Sequence, residues 1–125
     1  MEPDSVVFEC PVCRLPITRP VVSLDPGVSI CVEDGKHAVP EGYFGTNTQD
    51  YWTAGGAGVL VNLNDLVNTK HHESPHRLNG CCGLDGCDGP NLLCSKGHEV
   101  GTERSDCWMA HAAVLFENVV WHRID

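Results

Sequence analysis

Apolar residues in this chain fall into short runs, most of them too short for a helix. Residues 6–8 (Val-Val-Phe) are β-branched and aromatic and predict a strand. Residues 21–24 and 28–32 predict two more, separated by Asp25-Pro26-Gly27, a turn in which proline presets φ and glycine relaxes it. Glu33 to Lys36 is a second turn, and residues 37–39 continue the expected meander up to Pro40. Residues 112–116 and 119–121 flank Glu117-Asn118 and predict a hairpin with a two-residue loop. A continuous helix through residues 109–116 is the alternative.

Residues 62–72 carry the best helical pattern. Leu63, Leu66, Val67 and Lys70 share one face at helical spacing. Asn62 is a suitable N-cap, with Asp65 at the third helical position. Lys70, His71 and His72 fall in the last turn, where the helix dipole favours positive charge, and Pro75 ends the helix. The fold expected from these patterns is α+β: a small β-rich domain with one main helix.

Between Glu73 and Cys107 the patterning fails. Leu78, Leu84, Leu92, Leu93 and Val100 follow no strand or helix period, and glycines and prolines punctuate the stretch. Ordering such a loop costs roughly 1–2 kcal/mol per residue in backbone entropy, and few apolar side chains are present to offset it. Cys81, Cys82, Cys87, Cys94 and Cys107 lie here. Disulfides or a metal must therefore hold a Gly/Cys-rich C-terminal loop.

Composition favours the metal. The chain of 125 residues fits one domain, so residues 1–125 are expected to form a single zinc-binding domain. Its start is acidic and polar and does not read as a signal peptide. No apolar run is long enough to span a membrane. The simplest compartment is then the cytoplasm, where persistent disulfides are rare and clustered cysteines point to metal or redox chemistry. A disulfide-held protein is the competing reading. The formal net charge of −9 disfavours nucleic-acid binding, which needs Lys and Arg to displace counterions. It reads as solubility or as an acidic face for a basic protein partner. Tyr43, Phe44, Tyr51 and Trp52, set among Gly, Thr and Asn, are either such a surface or a cap on the core.

Two cysteines in Cys10-Pro-Val-Cys13 can face one ion from a tight turn. A redox pair would want a helix starting at the first cysteine, which Pro16 and Pro20 forbid. The stretch CPVCRLPI resembles the zinc knuckle of zinc ribbons and rubredoxin-like sites. The resemblance is confined to these residues and implies metal ligation without implying a role. Cys94-Ser-Lys-Gly-His98 has ligand spacing too, and with the first pair would complete a Cys₃His site. Cys107 and His111 offer a similar second half, so the pairing stays open. Cys81, Cys82, Cys87 and Cys107 could form a second site, with His72 as a substitute ligand. The expected ligands are thus Cys10, Cys13, Cys81, Cys82, Cys87, Cys94, His98 and Cys107, holding one Zn²⁺ or two. Cys31, among apolar neighbours, reads as a small buried hydrophobe and is left out.

His72-Glu73-Ser-Pro-His76 matches H-E-x-x-H, the zincin pattern in which a helix aims both histidines at zinc and the Glu activates water. Pro75 stands inside the motif and breaks the helix it needs. His71-x-Glu73 lacks the downstream P-C-x-x-C of zinc deaminases. The expected function is a zinc-stabilised interaction or accessory module without catalytic residues. A zinc-dependent hydrolase using the His72-Glu73-x-x-His76 segment is the alternative.

Overall fold

A computed structural model of the chain describes residues 5–25, 27–48 and 51–124. It is a curled half-barrel of nine strands. In chain order these are β1 (Ser5–Glu9), β2 (Val21–Ser23), β3 (Tyr43–Thr46), β4 (Val59–Val61), β5 (Thr69–His71), β6 (Leu92–Cys94), β7 (Glu99–Arg104), β8 (Ala112–Leu115) and β9 (Val120–Ile124). Across the sheet they run β5-β6-β7-β8-β4-β3-β2-β1-β9. All neighbours are antiparallel except β2 and β3, which run parallel.

The central strands are apolar without interruption because both faces are covered. On β8, Ala113 and Leu115 enter one core cluster, while Ala112 and Val114 enter the other. On β4, Val61 and Leu60 divide in the same way. The first cluster also takes Val6, Phe8, Ile17, Val21, Leu92 and Val100. Phe8 meets Phe44 edge to face, with ring centroids 5.1 Å apart. The second cluster joins Ala38 and Val39 and is flanked by Tyr51 and Trp52.

The α+β expectation is overturned, because no helix of seven or more residues exists among the described residues. Residues 62–72 instead form a 3₁₀ turn, Leu63–Asp65, followed by extended chain and β5. The capping residue was identified correctly: Asn64 N–H donates to Asn62 Oδ1 at 2.8 Å. Leu63 and Leu66 also reach the core. What prevents a helix is tertiary pairing. The buried Asp65 carboxylate accepts from Gly42 N–H at 2.7 Å and Arg19 Nη2 at 3.2 Å. Leu66 bridges to Thr18, Val67 N–H donates to Ile17 C=O, and Asn68 turns the chain at φ 54°. Thr69 to His71 then add to β6.

Other expectations are revised by the same pairing. The run 28–32 forms no strand, and Val28 and Val32 are exposed. Only Ile30 of its apolar residues turns inward, onto the second cluster. Cys31 is half-buried. The turn expected at 25–27 includes Pro26, which lies outside the described residues; Val28 N–H donates to Asp25 C=O across it. Residues 112–116 and 119–121 do contain strands, but they are not a hairpin. Both edges of β8 are occupied, by β7 and β4, and the chain crosses to pair β9 with β1. The supposed loop of residues 73–107 is also partly sheet, since β6 and β7 lie within it.

Candidate metal centre

Cys10 follows the last residue of β1, and Cys94 is the last residue of β6. These strands are eighth and second in the sheet order, so only the curl of the sheet brings their ends together. Each cysteine opens a tight turn. In the first, Arg14 N–H donates to Cys10 C=O at 2.9 Å, Cys10 N–H donates to Leu15 C=O at 2.9 Å, and Arg14 holds φ 66°. In the second, Gly97 N–H donates to Cys94 C=O and Cys94 N–H to His98 C=O, both at 2.8 Å. Gly97 sits at φ 96°, a conformation that a side chain would strain.

The two turns bring together Cys10, Cys13, Cys94 and His98, whose ligand atoms all lie within 4.8 Å of one another. Cys13 Sγ is 3.8 Å from Cys94 Sγ, and Cys94 Sγ is 3.4 Å from His98 Nδ1. A tetrahedral ion with metal–sulfur bonds of about 2.3 Å and metal–nitrogen bonds of about 2.0 Å sets these edges at about 3.8 and 3.5 Å. The four residues could therefore hold a metal ion, and the donor set is soft enough for one. Cys10 and Cys94 are fully buried and belong to the first core cluster. Burial pushes the Cys10 thiol above its ordinary value, opposed only in part by N–H groups of Cys13 and Val12. Burial acts the same way on Cys94, but there the N–H groups of His98 and Lys96, the His98 ring and Cys13 outweigh it, and the thiol comes down to about 6. Behind the first turn, the buried Glu9 carboxylate is paired with Arg14 Nε at 3.2 Å and His122 Nδ1 at 3.1 Å.

The other expected ligands are placed differently. Cys82 and Cys107 are joined as a disulfide, with Cα atoms 5.9 Å apart. Cys81 and Cys87 are exposed free thiols. The set Cys81, Cys82, Cys87 and Cys107 does not come together as four ligands. Cys82, Asp106 and Cys107 do lie close enough to share an ion. Asp106, however, has its carboxylate filled by donors. Oδ1 accepts from Cys82 N–H at 3.0 Å and Cys107 N–H at 2.7 Å. Oδ2 accepts from Cys81 N–H at 2.9 Å and Trp108 Nε1–H at 2.8 Å. The N–H groups of Cys81 and Cys82 lead in holding its carboxyl at about 2, against a smaller opposing effect of burial. Gly83 fits beneath this loop because any Cβ there would collide with the Ser105 carbonyl. Asp106 is a site-forming residue that the sequence reading missed. Its signal was slight: one Asp beside a cysteine.

Among the described residues, the H-E-x-x-H segment does not bring His72, Glu73 and His76 together as a metal-ligand group. His76 lies in a 3₁₀ turn, Pro75–Arg77, and Glu73 is paired at the surface with Lys70. His72 accepts Ser74 N–H at Nδ1 and meets Glu99 through Nε2, while His71 meets Glu103. Tyr51 and Trp52 pack rather than project: Tyr51 O–H donates to Ala110 C=O at 2.8 Å, and the Arg104 guanidinium lies over both rings. A surface cavity of about 630 Å³ beside Trp52 and Phe116 is lined mostly by glycines and apolar side chains, with Thr102 and Asn118 as polar neighbours and Cys87 and Glu117 as its titratable groups. No helix among the described residues is long and apolar enough to cross a membrane. Comparison with protein-family models, curated proteins and solved structures found no match for this chain.

Proposed function

We propose that the chain is a zinc-stabilised β domain acting as an interaction or accessory module, with Zn²⁺ held by Cys10, Cys13, Cys94 and His98. The observation that carries this reading is the burial of Cys10 and Cys94 in the core at the meeting point of two remote strand ends. A protein supplying four ligands leaves no open position for water or substrate, which marks a structural site. Zinc binding of about 10–16 kcal/mol, typical of small zinc domains, would suffice to hold the curl closed. With a net charge of −9, a basic protein surface is the partner favoured by electrostatics.

Cobalt substitution tests the reading. Co²⁺ at this site should give the intense visible d–d bands of tetrahedral Cys₃His ligation, and zinc should displace it at one equivalent. Weak octahedral bands, or bands that change on adding small anions, would reveal an open site and return the hydrolase alternative to consideration.

A further inference from the structure

The eight cysteines divide into sets of unlike chemistry. Cys10, Cys13 and Cys94 converge on the candidate metal centre. Cys82 and Cys107 are joined to each other, on loops at the surface, and both residues are exposed. We infer that the Cys82–Cys107 pair is a reversible thiol–disulfide exchange site, reacting with small thiols of the glutathione class while the metal centre stays intact. That the metal centre stays intact rests on the function proposed above; the exchange itself does not.

Three features of the pair support reversibility. First, neither cysteine lies in a strand, so the bond opens without disturbing the sheet. Second, the loops are held together independently of the bond. Asp106 accepts the backbone N–H groups of Cys81, Cys82 and Cys107, which keeps the two sulfurs adjacent after reduction and makes closure effectively intramolecular. Third, Cys82 Sγ has a partner in either redox state. Cys107 N–H points at it from 3.0 Å, and Asp106 Oδ1 stands 3.2 Å away, placed to accept from an S–H once the bond is reduced.

Exchange proceeds by attack of a small thiolate on one sulfur of the pair. The Cys82–Cys107 bond breaks as the mixed disulfide forms, and the released sulfur takes a proton from solvent. A second small thiolate attacks the mixed disulfide at its small-molecule sulfur, forming the small disulfide and releasing the second protein thiol. Two small thiols lose two electrons, and the pair gains them. Cys87 is a poor competitor: desolvation and the Asp85 carboxylate hold its thiol above the ordinary value.

The test uses the full chain, purified without chelator and equilibrated in buffers from fully oxidised to fully reduced glutathione. Thiols are trapped by alkylation and located by peptide mass spectrometry, with metal counted in parallel. Alkylation at Cys82 and Cys107 should rise in step from near zero to near complete, reverse on re-oxidation, and leave metal content unchanged. Cys107→Ser should accumulate glutathione on Cys82, since the thiol held against it by Asp106 is gone, while Cys81→Ser should behave as the wild type. A pair that stays closed in excess reduced glutathione would overturn the inference as an inert cross-link. Reduction that releases the metal would overturn it too, as would thiols at Cys82 and Cys107 that are shielded until chelation.

Discussion

Cys13 and Cys94 are separated by 81 residues of chain, yet their sulfurs stand 3.8 Å apart. That spacing fits one edge of a tetrahedral thiolate site. The contact joins a turn after β1 to the end of β6, strands that are eighth and second in the sheet order. Replacing Cys94 by Ser should therefore remove the metal and collapse the cooperative thermal transition seen by circular dichroism. Cys31→Ser, half-buried and outside the site, should retain the metal and shift stability by only about 1 kcal/mol. Metal retention with an unchanged melt in Cys94→Ser would place the ligands elsewhere.

Asp106 makes stability depend on acid. Its folded value of about 2 lies below the ordinary 3.8, so the unfolded chain binds more protons there as pH falls. Its contribution is complete above about pH 4 and is lost as pH drops through about 2. Asp106→Asn lacks this titrating carboxylate, so the gap between wild type and variant in urea denaturation should narrow from pH 5 to pH 2. A gap that is constant across that range would show that the carboxylate is not held in the way described.

Cys82 and Cys107 are 25 positions apart, and their bond removes loop entropy from the unfolded chain. Cys107→Ser should cost about 3 kcal/mol in chemical denaturation under non-reducing conditions. It should keep the full metal content. A variant as stable as the parent would mean that the unfolded chain gains nothing from the bond.

The H-E-x-x-H segment should be dispensable for metal. Glu73→Gln and His76→Ala alter exposed side chains outside the Cys/His group. Both variants should match the parent in metal content and melting temperature, as read by elemental analysis and calorimetry. Loss of metal in either would revive the hydrolase reading.

Each half of the Cys/His group was legible because its information is local: Cys10 with Cys13, and Cys94 with His98, have ligand spacing beside turn residues. The strand at Val6 to Phe8 was legible for the same reason. Which second half meets the first was not legible, since Cys107 and His111 offered the same spacing, and only the fold brings Cys94 and His98 to the first pair. Residues 62–72 misled because a helical face and a cap were both present. The decisive facts were remote: Asp65 bound to Gly42 and Arg19, and Leu66 beside Thr18. The disulfide was obscured by neighbouring Cys81, since adjacent cysteines offer no sequence-level choice between partners. Glu117-Asn118 marks a real turn, but strand partners are chosen by which edges remain unoccupied, and no local pattern reports that.

Elemental mass spectrometry on untagged protein purified without chelator, with free thiols counted before and after denaturation, is the most direct test of the metal-clasped fold. The account predicts one zinc per chain, lost together with the folded circular dichroism signal when a strong chelator is added. A folded, metal-free protein whose spectrum is indifferent to the chelator would contradict it.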